Sequence, residues 1–183
     1  MRKSEKGASL VEVALVLPLL LTLAIGLAEI GFLVIDYVTV TNAARSGART
    51  GAALAKDAGT DQAILNVVEE DLCNLGFGSA VVVRIFKANA DGSMSSSQNN
   101  YSAGSLNCGD STSHAFTCDA LEGGCNWAES SRNNSPPNNF DRLGVRIEFT
   151  HNWVTNFLPL PNTNFLETAI MQLEPETGVG VGT

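Results

Sequence analysis

The chain has 183 residues, a formal net charge of −8 and a pI of about 4.6. That length allows one domain plus an anchor, and the acidic balance excludes an electrostatically driven nucleic-acid binder. Hydrophobic residues make up 44% of the chain, and much of that share sits in one N-terminal run, so the remainder is a modest, polar head.

Met1–Gly7 reads as a short basic leader carrying Arg2, Lys3 and Lys6. From Val13 to Ile35 the sequence holds one acidic residue, Glu29, and no basic one. As a helix this run is roughly 34 Å long, against a bilayer core roughly 30 Å thick. Amphipathic patterning is absent from Val13 to Leu23, which disfavours a soluble core helix. Basic residues on the N-terminal side predict an N-terminus in the cytoplasm and an extracytoplasmic remainder. Glu12 stands at the threshold of the run, where a carboxylate is costly unless it lies in the headgroups or is paired. Its spacing from Gly7 offers a partner. Cleavage after Gly7 would make Ala8 the first residue, and its new amine could be neutralised by the Glu12 carboxylate of a neighbouring copy in a low dielectric.

Residues 8–55 are expected to form one helix, half membrane span and half stalk. Pro18 removes one backbone bond and is expected to kink it. Ala43, Ala44, Ser46, Gly47, Ala48, Gly51, Ala52 and Ala53 let another element approach closely, either a neighbouring subunit or the chain's own sheet. Arg45 and Arg49 share a solvated face. After a break at Asp57–Thr60, a second helix capped by Thr60 or Asp61 runs to about Leu75, with Ile64, Val68, Leu72 and Leu75 on its core face. Glu69, Glu70 and Asp71 read as its solvated face. Gly76 and Gly78 stop it. Residues 80–87 read as a β-branched strand, and Asn89–Gly92 as a turn. The stretch 89–142 reads as a Ser/Asn/Gly/Cys-rich insert, too long for an ordinary loop and ended by Pro136-Pro137. Leu143, Val145, Ile147 and Phe149 alternate with Arg146 and Glu148, which predicts a strand that could pair with 80–87. Trp153, Phe157 and Leu158 form an apolar connector broken by Pro159 and Pro161. Thr168–Leu173 is a third strand, and residues 178–183 a disordered tail. The fold class is therefore α+β: a long N-terminal membrane/stalk helix, then a small head over residues 56–177 with an antiparallel β-sheet.

Four cysteines, Cys73, Cys108, Cys118 and Cys125, all follow the apolar run. An even count on the extracytoplasmic side predicts disulfides. Three pairings are open; the favoured one closes a local Cys118–Cys125 loop and ties the second helix to the insert through Cys73–Cys108. A zinc site from Cys108, His114, Cys118 and Cys125 is the alternative, but it lacks a Cys-x2-Cys pair. No Gly-rich phosphate loop, His-Glu-x-x-His or serine elbow is present in the sequence, and His151 beside Trp153 reads as a core-edge or capping residue. No catalytic residue, metal or cofactor is expected.

The stretch Lys6-Gly7-Ala8-Ser9-Leu10-Val11-Glu12-Val13-Ala14-Leu15-Val16-Leu17-Pro18-Leu19-Leu20-Leu21 resembles the TadE-like family, minor pilin-like proteins of tight-adherence (Flp) pilus systems. Ala28-Glu29-Ile30-Gly31 and Asn42-Ala43-Ala44-Arg45-Ser46-Gly47-Ala48-Arg49 fit the same family, and the likeness covers residues 6 to about 55. The resemblance implies a pilin-like layout and a minor pilin or pseudopilin function, with prepilin peptidase cutting after Gly7 and Glu12 as the assembly residue. It also implies other pilin-like subunits and the pilus assembly machinery as partners. The expected location is a single pass in the cytoplasmic membrane, with a cell-surface pilus after assembly. The competing readings are a permanently anchored binding module that recognises its target through 89–142, and a secreted protein cut at Gly26-Leu27-Ala28.

Overall fold

The computed structural model describes residues 4–73, 75, 78–103, 105, 106, 108, 115–119, 124–135, 140–155 and 161–175. Its elements are helix α1 (Ser4–Leu54), helix α2 (Thr60–Leu72) and strands β1 (Gly78–Ala88), β2 (Met94–Ala103), β3 (Thr117–Cys118), β4 (Arg142–His151) and β5 (Thr163–Gln172). The five strands form one antiparallel sheet in the order β3-β2-β1-β4-β5. The expected helix stop at Gly76, His114, Pro136-Pro137, Phe157–Pro159 and the tail 178–183 lie outside the described residues.

Helix α1 runs unbroken through Pro18. It ends at Ala55, which adopts a left-handed φ of 48° and donates its N–H to the Gly51 carbonyl at 2.9 Å, a glycine-type stop made here without glycine. The expected distinction between stalk and head disappears in the packing. Val40, Ala43, Ala44, Ala48, Ala52 and Ala55 of this helix are all buried in the core of the head. The small face meets the chain's own elements: a Cβ at Gly47 would stand 2.7 Å from Val68, and one at Gly51 would stand 2.7 Å from Ile64 and 2.8 Å from Leu143. Arg45 and Arg49 are exposed on the opposite side. The inner face of the sheet, with Val83, Ile85, Leu143, Val145, Ile147 and Phe149, completes one core with Ile64, Leu65, Val68 and Leu72 of α2.

Several expectations of element position need correction. The insert 89–142 is not a loop throughout: Ser95–Asn100 lies inside β2, where Gln98, Asn99 and Asn100 pair with β1 and Ser95–Ser97 fall at an irregularity of the ladder. Its polar side chains hid the strand, because ladder hydrogen bonds hold it where apolar alternation does not. Strand β5 begins at Thr163, five residues before the expected Thr168. Phe165, Ala169 and Met171 pack on the core, but Glu167 lies on the same inward series and interrupts the apolar alternation. Helix α2 ends at Leu72 and not at Leu75, and its N-cap position is Gly59, with no cap from Thr60 or Asp61.

The missing cap comes from far along the chain. Glu129, in a short 3-10 turn, accepts the Gly59 N–H at 2.8 Å and the Asp61 N–H at 2.6 Å, placing negative charge at the helix N-terminus. Asp61 is thereby free for a buried network. It pairs with Arg132 and accepts hydrogen bonds from Asn99 Nδ2 at 2.6 Å and the Tyr101 hydroxyl at 2.9 Å. Arg132 also lies over the Trp127 ring, 4.6 Å from its centroid. Burial and the Asp61 carboxylate push the Tyr101 phenol well above its ordinary value. Glu69 departs from the solvated face expected of it: it is buried, and its carboxylate accepts the Ala115 N–H at 3.1 Å.

The structure pairs Cys73 with Cys108 and Cys118 with Cys125. The second bridge closes the loop that borders β2, where Asn99 forms an isolated bridge to Cys125. All four thiols are consumed, so none remains as a thiolate ligand for the zinc alternative.

Candidate functional site

The site is the part of α1 that the head leaves bare, together with the seam where the head takes hold of it. Every described side chain from Ser9 to Ala24 is exposed, including Leu10 at 72% and Leu15 at 74%. Such an apolar surface on a water-soluble protein would be an aggregation site; on a helix of this length it is a membrane or protein contact. Among the described residues, this is the one helix long and apolar enough to cross a membrane. Gly7 lies in the first turn of α1 with open space around its Cα, and the Gly7–Ala8 peptide bond is part of that turn. Glu12 is exposed one turn further on. Together they occupy one end of the bare helix, with Glu12 about 26 Å and Gly7 about 33 Å along the axis from Glu29 by helical rise. The four cysteines lie in the head, away from this end.

Sequence reasoning missed the seam. Glu29 is 3% exposed and Asp36 is 1% exposed, although both stand on a helix otherwise open at that level. The two are seven residues apart, which puts them on one face. Glu29 Oε1 accepts the Thr155 N–H and the Thr155 hydroxyl, each at 2.6 Å, and Oε2 accepts the Val154 N–H at 3.1 Å. Two consecutive residues, Val154 and Thr155, are thus tied down by a single carboxylate. Asp36 Oδ2 sits 2.7 Å from His151 Nδ1, and His151 is fully buried with its ring edge-on to Trp153 at 5.3 Å. His151 is therefore an interior partner of the helix, not the core-edge cap expected from the sequence. Next to this pair Tyr37 meets Phe165 edge-on at 5.9 Å. The signal that could have found the seam was the seven-residue spacing of the two acids, read together with the lone histidine before Trp153.

On the face away from the seam, the apolar surface does not stop at Glu29. Ile30, Val34, Ile35 and Val38 stay between 48% and 57% exposed. Residues 7–49 match the family model described as TadE-like protein.

The chain's N-terminal segment is TadE-like by that match, which suggests a Tad pilus-related protein with an N-terminal membrane helix. The TadE-like segment contains Gly7, Glu12, Pro18, Glu29 and Asp36, while Val154, Thr155 and His151, which hold the two later acids, lie outside it. No curated protein and no solved structure matches the chain.

Proposed function

We propose that this protein is a minor pilin or pseudopilin of a tight-adherence pilus. It inserts through α1 with its N-terminus in the cytoplasm, is cut after Gly7 by a prepilin peptidase, and joins pilus assembly through the bare helix. The observation that carries this reading is the length of the bare face. From Leu10 to Val38 it extends roughly 42 Å at the helical rise, while a bilayer core covers roughly 30 Å. A tilt of about 20° across a helix about 10 Å wide shifts the water line on one side by only about 4 Å. The upper apolar residues Ile30, Val34, Ile35 and Val38 therefore need a protein partner, and apolar helices of other subunits supply one. A simple anchor needs no such surplus.

Within that assembly Glu12 neutralises the amine of a neighbouring Ala8 and fixes the axial stagger, and the role is structural. The test is the N-terminal residue of the mature protein, read by mass spectrometry of membrane and sheared surface fractions. A start at Ala8 is expected. A start at Glu29 would mean a secreted head and remove any part for Glu12; an intact leader would mean a permanent anchor with 89–142 as its recognition surface. Glu12→Ala is expected to insert and be cut as the parent chain does, yet to be lost from filaments. Normal incorporation of that variant refutes the role given to Glu12.

A further inference from the structure

The level at which the head meets the helix has a second consequence. Ile25 and Gly26 are the first residues half-covered, and Glu29 is the first buried one. Ala8 to Ala28 is about 21 residues, or roughly 31 Å of helix, which matches a hydrocarbon core of roughly 30 Å and keeps Glu12 about 6 Å from its cytoplasmic edge, within side-chain reach of the headgroups. With that stretch in hydrocarbon, the Glu29 carboxylate stands at the lipid surface on the side where the head lies. What touches it there is the turn Trp153-Val154-Thr155. Val154 is 40% exposed, Thr155 is exposed and Trp153 is half-buried. The Trp153 indole N–H is already satisfied by the Pro161 carbonyl at 2.8 Å. A tryptophan with its polar edge held and its ring partly open suits the headgroup level of a bilayer, where indoles concentrate. From Asn152 to Leu166 the sequence carries no charged residue, although the chain as a whole is strongly acidic. The backbone N–H groups of Val154 and Thr155, which would otherwise need water, are taken by Glu29.

We propose that this turn rests on the leaflet from which α1 emerges, so that the lipid interface is a second docking surface of the head, continuous with the span. The proposal rests on reading α1 as a membrane span. Before assembly the head is then held against the membrane at two places, which fixes its orientation. The Glu29 hook sets how far the head can lean.

The experiment uses the full-length chain in vesicles of phosphatidylcholine and phosphatidylglycerol, at low protein density, with acyl chains brominated near the headgroup. W127F leaves Trp153 as the sole indole, and W153F leaves Trp127, which is 4% exposed inside the head. Flotation after an alkaline wash reports the span separately. Both variants are expected to float, and brominated lipid is expected to lower the Trp153 emission by roughly two-fold, as for an indole at the interface, while Trp127 stays bright. If W127F does not fold, the difference between the parent chain and W153F reads the same quantity. A chain that floats without Trp153 quenching overturns the proposal and leaves the span standing. A chain that does not float overturns both. Shielding of Trp153 that appears only at high protein density, without bromine quenching, assigns the turn to a second copy and also refutes the lipid assignment.

Discussion

Cutting the chain at the apparent border between helix and head, after Ala55, should abolish folding, whereas cutting after Ala28 should not. The second half of α1 contributes Val40 and the alanines at 43, 44, 48, 52 and 55 to the core. Burying one valine and five methyl groups is worth about 6 kcal/mol at about 0.8 kcal/mol per carbon and more for valine. The same cut uncovers Ile64 and Val68 of α2 and Leu143 and Val145 of β4, which pack against the glycine face of α1, so the loss at least matches the helix's own share. Domains of this size have about 5–15 kcal/mol in total. A chain of residues 56–175 should therefore show no cooperative thermal transition by circular dichroism, while residues 29–175 should melt cooperatively with both disulfides formed. A cooperative melt of 56–175 with near-ultraviolet signal would refute the assignment of α1 to the core.

Gly51→Val should lower the melting temperature of residues 29–175, because its Cβ alone would press on Ile64 and Leu143 at 2.7–2.9 Å; overpacking of this kind costs about 1–3 kcal/mol, and an unchanged melt would show that α1 stands further from the sheet. Arg132→Met leaves Asp61 buried without its cation and should cost about 3–5 kcal/mol in denaturant unfolding; a cost under about 1 kcal/mol would place that loop in solvent. Glu29→Gln keeps an acceptor but removes the charge that holds Val154 and Thr155, so amide exchange at those two residues should quicken while exchange in β1 stays as before. Tyr101 donates to Asp61 and has its phenol shifted upward. A raised folded value means the stabilisation is fully present below the unfolded value of about 10 and is lost as pH rises through the folded one. Melting temperature should fall above about pH 10 in the parent head and fall less in Tyr101→Phe; equal slopes would remove Tyr101 from the network.

Burial of the alternating set Leu143, Val145, Ile147 and Phe149 against the helices was readable in the primary structure, because period-two patterning has one physical meaning when one face is dry. The turn at Asn89–Gly92 was equally readable, and it closes as an Asn89 N–H to Ser93 carbonyl bond at 2.9 Å with Gly92 at φ 83°. Strand β2 was not. Its residues Asn99 and Tyr101 face the interior as polar groups, and they are stable there because Asp61, 38 and 40 residues away in the chain, receives their hydrogen bonds, with the Trp127 backbone completing the partners of Asn99. The cap of α2 was hidden for the same reason, since Glu129 lies 70 residues from the Gly59 N–H it accepts.

Run length, hydropathy and side-chain alternation by themselves determined that an apolar helix fit for a bilayer is followed by a small antiparallel head, and that Gly7 and Glu12 stand at the start of the apolar run. These are local properties, written in side-chain period and in run length. Where the helix stops being bare and becomes a core element was decided only by tertiary structure. Glu29 looks like an interruption of the apolar run until Val154 and Thr155 present their N–H groups to it, and Asp36 looks like its end until His151 arrives from 115 residues away. A buried carboxylate is tolerable only beside its donors, and donors brought by a distant strand leave no trace in the helix that receives them.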